Sequence, residues 1–346
     1  VALVRWVDLP KAEVDALLGS FESAELLHAV FLLSEDEQRK LLSTISVERA
    51  AHLVEEFPSS HGANLLEEMP AQETAPIFEE MASNYRVDVL SEMDSEDTEA
   101  IFEHLEEEDV QEIRELIAYP PDEAGGLMIT EFETYPKNLT VRGVVEDLTD
   151  HDGDYEFPAV QYIYVVGKKH VLVGVIRLRD LIFADPDTKI GAVAIKAKTV
   201  RPDTSLSELE QFFFDNEIAA VPVVDERNRV LGVVRRRAVL EALADKSEAD
   251  HMKAAGIVGG DELRSMPVLT RSKRRLSWLS INIGLNIVAA SVIAMYEDTL
   301  SAVIALAVFL PIVSDMSGCS GNQAAAVSMR ELTLGAADPK DIARVW

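Results

Sequence analysis

Apolar residues in the first third of the chain come in short bursts. Leu53-Val54-Glu55-Glu56-Phe57, Leu65-Leu66-Glu67-Glu68-Met69, Ile77-Phe78-Glu79-Glu80-Met81, Val89-Leu90-Ser91-Glu92-Met93 and Ile101-Phe102-Glu103-His104-Leu105 place apolar side chains at i, i+1 and i+4. Their last residues fall at 57, 69, 81, 93 and 105, a constant spacing of 12. That pattern predicts a short helix with one apolar face. Twelve residues hold about two turns and a bend, and Pro58, Pro70 and the Ser-, Asn- and Asp-containing joins stop each helix. Helices this short cannot bury an apolar face alone, so a stacked, superhelical all-α module is expected, with the Phe and Met positions in its core.

The pattern then changes to strand-like runs. Tyr162 to Val166, a turn at Gly167-Lys168-Lys169, and Val171 to Ile176 read as a hairpin. Ala220 to Val224, Asp225 to Arg229 and Val230 to Val234 repeat it, with Val165 to Val223 and Gly174 to Gly232 both 58 residues apart. Each hairpin leads into a helix, at Asp180-Leu181-Ile182-Phe183 and at Val239 to Leu243. A helix over Ser205 to Asp215, capped from Asp203 or Thr204, precedes the second hairpin. A β-α-β-β-α unit of about 60 residues, present twice, resembles a pair of CBS domains. The resemblance implies a cleft for adenine nucleotide or metal and a tendency to dimerise. Asp180 stands where such sites carry a ribose-binding Asp, and a helix cap is its other reading. The second copy has Ala238 there.

A third pattern closes the chain. Leu276 to Tyr296 is 21 residues without a charge, preceded by Arg271, Lys273, Arg274 and Arg275 and followed by Glu297 and Asp298. About 20 such residues cross a bilayer, and the basic flank belongs on the cytoplasmic side. Thr299 to Val313 is apolar again, and only Asp315 is charged before Arg330. Two membrane helices are expected. Asn282 and Asn286 share a face of the first and suit interhelical hydrogen bonding. Pro311, Gly318 and Gly321 are expected to loosen the second, and Asp315 at depth marks a pore or substrate path.

Charge sharpens this division. Residues 1–130 hold 31 Asp or Glu against seven Lys or Arg, and so carry −24 of the −29 net charge. So acidic a chain repels nucleic acid. Clustered carboxylates are either a solvated face or a cation site, and hard divalent ions favour oxygen ligands. The lone Cys319 excludes an internal disulfide and a cysteine-rich metal centre. The seven His and one Cys form no nucleophile–base arrangement, so an enzyme is not expected.

The order of acidic helical module, CBS pair, connecting helix and polar-interrupted membrane helices resembles the MgtE family of magnesium channels and transporters. Asp122 to Met128, Tyr162 to Val166, Leu178 to Ile182 with Ala184-Asp185-Pro186, and Asp315-Met316 with Gly318, Gly321 and Gln323 carry it. The implied architecture is a multidomain membrane protein. An all-α superhelical N domain (1–126) leads into α/β CBS domains (127–188 and 189–246). A connecting, plug-type helix (247–275) and α-helical transmembrane segments (276–346) follow. The family has five membrane helices, and this chain ends after two.

The resemblance implies a homodimer in the cell (inner) membrane, multi-pass, with its N-terminal domains in the cytoplasm. Mg²⁺ would neutralise interdomain carboxylates and close the pore. Glu217, Glu241 and Asp250 match family sensor ligands, whereas Ser205, Ser207, Ala238, Lys246 and Ala249 stand where acids are usual. Asp315 is the metal-facing group of a pore motif with Pro311, Gly318, Gly321, Asn322 and Gln323. Cys319 replaces an Asn common in that motif. Tyr162, Arg179 and Asp180 match the nucleotide site, through stacking on adenine, pairing with phosphate and holding ribose, with ATP as a candidate ligand. Mg²⁺, other divalent cations and membrane lipid are the expected partners. The competing reading is a membrane-tethered CBS nucleotide or metal sensor without transport.

Overall fold

The structure is a computed structural model that describes residues 14, 18, 23–150, 161–254, 268–303 and 305–333. Much of the expected connecting segment (255–267) and the stretch from 334 on lie outside the described residues. The chain divides into a unit ending at Arg271 and a second beginning at Ser272.

Among the described residues, the first unit has eight short helices ahead of the repeat: α1 Ser23–Val30, α2 Glu35–Thr44, α3 Val47–Glu55, α4 Ser59–Glu67, α5 Ala71–Glu80, α6 Ser83–Glu92, α7 Ser95–Phe102 and α8 Glu107–Ile117. From α3 to α8 each begins 12 residues after the last. Helices two apart in sequence pack together, α2 on α4, α3 on α5, α4 on α6, α5 on α7 and α6 on α8. Phe57, Met69, Met81 and Met93 are buried, as the spacing predicts. Pro58 and Pro70 occupy the N-cap positions of α4 and α5.

Two acids stitch the stack together. Glu55 accepts from the Ala82 amide at 2.7 Å and Glu67 from the Asp94 amide at 2.6 Å. Each glutamate sits near the end of one helix and caps the start of the helix three further on, supplying acceptors that orphan N-terminal amides need. Inside the stack, His61 packs against Phe31 and Phe57, each with ring centroids 5.2 Å away. Its Nε2 lies 2.8 Å from Gln38 Oε1, while Gln38 Nε2 donates to the carbonyls of Val30 and Leu33. Those two bonds fix the amide, so His61 Nε2 carries the hydrogen.

The one-turn helix α9 (Ala124–Leu127) leads into the repeat. The first copy contains β1 (Thr134–Pro136), α10 (Val141–Asp150), β2 (Tyr162–Val166), β3 (Leu172–Arg177), α11 (Leu178–Phe183) and α12 (Ile190–Val193). The second contains α13 (Leu206–Asp215), β4 (Ala220–Val224), β5 (Val230–Arg235) and α14 (Arg236–Ala254). β1 runs parallel to β2, and β2–β3 and β4–β5 are antiparallel hairpins.

The sheets exchange edges. Ile129, ahead of β1 in the first copy, makes two backbone bonds of 2.9 Å with Val233 on the last strand of the second. Ile195, ahead of α13 in the second copy, does the same with Val175 of the first, at 2.9 and 3.0 Å. Gly174 and Gly232 allow this close approach, since a Cβ would lie 2.5 Å from the Ile195 oxygen or 2.9 Å from the Ile129 oxygen. Ile129, Tyr164, Leu172, Val224 and Val233 form the core between the copies.

Two local expectations change. Ser205, not Asp203 or Thr204, caps α13, in a reciprocal capping box with Glu208. Val171 is not part of β3, because it bridges to Arg229 of the second hairpin.

The second unit holds most of α15 (Val268–Met295), then α16 (Glu297–Ala302) and α17 (Ala305–Thr333). No helix among the described residues is long and apolar enough to cross a membrane. The side chains of the basic cluster at 271 and 273–275 lie outside the described residues. The expected loosening of 311–323 gives way to a continuous helix: α17 passes through Pro311 and both glycines. Pro311 is the seventh residue of the helix, so its missing amide removes a single hydrogen bond near the start.

Candidate functional site

The N-terminal helices meet the second copy of the repeat along one seam. Val87 and Leu116 join Leu127, Met128, Leu206, Leu209 and Val239 in a shared apolar core. Around it the contacts are polar. Tyr85 Oη donates to Glu241 Oε2 at 2.9 Å, and Arg237 Nε donates to Glu241 Oε1 at 2.5 Å. Arg237 also reaches Glu56 at 3.7 Å. Burial first, then Glu241, pushes the Tyr85 hydroxyl above its ordinary pKa, so it remains a donor.

Asp88 stands on the same seam. Burial, with the Asp245 and Glu92 charges adding to it, pushes its carboxyl up to about 7. Carboxylates of two domains that oppose one another in this way bind a proton or a cation. Sequence reasoning missed Asp88, Glu92 and Asp245. Two signals were present: Asp88 interrupts the apolar run Val87, Val89, Leu90, and Asp245 lies four residues after Glu241, on the same helix face. A second carboxylate group, Glu67, Asp94 and Asp97, has oxygens within 4.8 Å of one another.

The three expected sensor carboxylates do not converge. Glu241 lies on the seam. Asp250 is nine residues further along α14, roughly 14 Å at the helical rise, and pairs with Lys253 at 3.7 Å. Glu217 is exposed in the join between α13 and β4.

The expected nucleotide residues do lie together. Tyr162 is opposite Arg177 in the β2–β3 register, at the point where α11 begins with Leu178, Arg179 and Asp180. The Tyr162 hydroxyl accepts from the Ala219 amide of the second copy at 3.3 Å. Asp180 accepts from Arg177 Nε at 2.6 Å and faces Arg179 Nε at 3.4 Å. The Arg177 hydrogen bond leads in holding its carboxyl below the usual range. The helix-cap reading of Asp180 fails: Arg177 occupies the N-cap position, and no side chain caps it. Asp180 is thus a poised carboxylate between two guanidinium groups at the join of the copies.

On α17 the spacing of Pro311, Asp315, Gly318 and Asn322 puts them on one face, with Gly321 and Gln323 to either side. All six are exposed.

Residues 9–122 match the MgtE intracellular N domain family, and residues 190–245 match the CBS domain family. The chain is 36% identical over 238 residues to a protein named magnesium transporter MgtE from Thermus thermophilus, covering 68% of this chain and 52% of that one. Its counterpart of the same name from Enterococcus faecalis is 35% identical over 231 residues, 66% and 50% of the two chains. The chain spans about half the length of these curated relatives. Among solved structures it resembles the cytosolic domain of the Mg²⁺ channel MgtE in complex with ATP, with TM-score 0.61 and 30% identity, covering 66% of this chain and 93% of that one. It also resembles the soluble part of a magnesium transporter, with TM-score 0.63, 28% identity and coverage of 68% and 93%.

Proposed function

The chain belongs to the MgtE family, and on that premise we propose that it is a subunit of a magnesium channel or transporter gated by cytosolic Mg²⁺. The observation that carries this reading is the seam. Asp88 and Glu92 of α6 face Asp245 of α14, with Glu241 on the same seam, and Asp88 is pushed up to about 7 by burial, Asp245 and Glu92. Without a counter-ion these groups oppose docking of the N domain. Mg²⁺ bound between them favours docking by its differential affinity for the closed form. Glu217 and Asp250 are separate sensor ligands in this reading.

Adenine nucleotide, ATP for instance, binds at Tyr162, Arg179 and Asp180, with Arg177 as a further neighbour. The protein is a homodimer with its N domain and CBS pair in the cytoplasm and α15 and α17 in the cell membrane. Two observations support the membrane placement. Leu279, Ile281, Ile283, Leu285, Ile287 and Val288 leave apolar side chains exposed around α15, as a lipid-facing helix does. Ser280, Ser291 and Ser317 each donate to the carbonyl four residues earlier, so these hydroxyls need nothing from their surroundings. Asp315 then faces a water-filled path with Pro311, Gly318, Gly321, Asn322 and Gln323 about it. The relatives are named as transporters, and this reading needs no catalysis.

The test is magnesium uptake by cells that lack other importers and express the protein. Asp315→Ala lowers uptake while the dimer persists. Unchanged uptake by that variant contradicts the proposed path.

A further inference from the structure

We propose that Arg236 is a positioning residue for the cation ligand of the second CBS copy: its guanidinium clamps the join between α13 and β4, which carries Glu217, to the start of α14. The inference rests on the reading of Glu217 as a sensor ligand and concerns what fixes that carboxylate in place.

Arg236, the first residue of α14, holds the join by three carbonyls. Its Nη2 donates to the Phe213 oxygen at 2.6 Å and to the Asn216 oxygen at 2.5 Å, and its Nε donates to the Ile218 oxygen at 3.0 Å. These bonds straddle Glu217. They also set a cation at the C-terminal end of α13, where unpaired carbonyls and the helix dipole favour one. The same guanidinium lies 5.5 Å from the Phe213 ring centroid. Backbone bonds complete the clamp. The Arg236 amide donates to the Ala219 carbonyl at 2.8 Å, and the Ala219 amide to the Tyr162 hydroxyl at 3.3 Å.

The first copy shows that the fold does not require this clamp. Leu178 stands 58 residues before Arg236, and Gln161 stands 58 before Ala219. The Leu178 amide donates to the Gln161 carbonyl at 3.0 Å, the same backbone bond that Arg236 makes with Ala219. The side chains differ, because Leu178 packs against the apolar core of its own copy. At this position the guanidinium therefore belongs to the copy whose last helix meets the N domain. Its donors go to carbonyls, and Glu217 stays exposed to solvent and open to a cation. A carboxylate on a loose loop loses conformational entropy when it takes an ion. Holding the backbone on both sides of Glu217 removes part of that cost beforehand, as hydrogen-bonded neighbours do for metal ligands.

The test is a Mg²⁺ titration of protease resistance in the purified full chain, with Na⁺ added to match ionic strength and each variant held well below its Tm. Arg236→Gln raises the Mg²⁺ midpoint by roughly threefold, less than loss of a ligand's hydrogen-bonded neighbour can cause, because other carboxylates also bind the ion. Glu217→Gln raises it as well. The double variant rises no further than the larger single shift, since a misplaced carboxylate has little left to lose. Arg236→Lys keeps the charge without the fork and falls between wild type and Arg236→Gln. It takes the place of Arg236→Gln in the cycle if that variant does not fold. A role in stability alone would lower Tm and leave the midpoint where it is. Three results overturn the clamp: a wild-type midpoint for Arg236→Gln, single shifts that add in full, or a wild-type midpoint for Glu217→Gln. None of them touches the gating reading, which fails if the wild-type chain responds to Mg²⁺ no more than to Na⁺.

Discussion

Tyr85 donates its hydroxyl to Glu241 across 2.9 Å, joining α6 of the N domain to α14 of the CBS pair. The same carboxylate accepts from Arg237, so both of its oxygens are engaged within the protein. A cation arriving at Glu241 must displace one of these partners. Asp88 and Asp245, two carboxylates with mutual repulsion, are the easier place to gain from a divalent ion.

Asp88→Asn removes one charge from that repulsion. Docking of the N domain then needs less Mg²⁺, and the difference in protease resistance between EDTA and millimolar Mg²⁺ shrinks. Digestion at matched Na⁺ ionic strength measures this, since simple screening is then equal. A variant with wild-type Mg²⁺ dependence would place the sensor elsewhere.

His61 gives the N domain a proton-linked weakness. Burial between Phe31 and Phe57 lowers its pKa below the ordinary 6.5. The unfolded chain therefore takes up the proton first, and stability falls as pH drops through about 6.5 toward the folded value. Thermal melts at pH 7.5 and 5.5 should show a smaller acid loss for His61→Gln than for wild type, after allowing for the variant's lower starting stability. Equal acid losses would mean that other groups set the trend.

Gly126 lies where a side chain has no room. A Cβ there would come 2.3 Å from the Pro120 oxygen and 2.8 Å from Pro121 Cα, both backbone atoms. Gly126→Ala is expected to cost about 1–3 kcal/mol, read as a lower Tm, and to loosen the join of the N domain to the CBS pair. Gly318→Ala is the contrasting control, because nothing lies within 4 Å of its would-be Cβ.

Asp180 is held ionised by Arg177 and Arg179. Its replacement by Ala should weaken adenine-nucleotide binding by the full chain, and calorimetry should find no more than one site per chain. Two equal sites, or an unaltered affinity, would contradict the assignment at Tyr162, Arg179 and Asp180.

Local repetition made much of this fold readable. The 12-residue spacing of Phe57, Met69, Met81 and Met93 is a helix-length signal and needs no knowledge of distant residues. The 58-residue offset between Gly174 and Gly232 likewise displays the duplicated hairpin. What escaped was long-range or dual-purpose. Asp88 meets Asp245 only after the helical stack has turned back on the CBS pair. Ile129 pairs with the other copy's strand, which no local pattern reports. Ser205 stands where the family usually has an acid, yet Ser205 and Glu208 spell a capping box. Pro311 and its glycines suggested a broken helix, but one early proline leaves the remaining ladder able to continue.

The exchanged edges at Ile129–Val233 and Ile195–Val175 also constrain the order in which the protein can be built. As the chain leaves the ribosome, Ile129 emerges early but has no strand to join until Val233 has been made. The first sheet likewise lacks its outer edge until Ile195 appears. Neither copy can therefore finish folding as a separate unit during synthesis. A ribosome stalled between the two copies would hold a nascent chain with an open sheet edge, the kind of surface that chaperones bind.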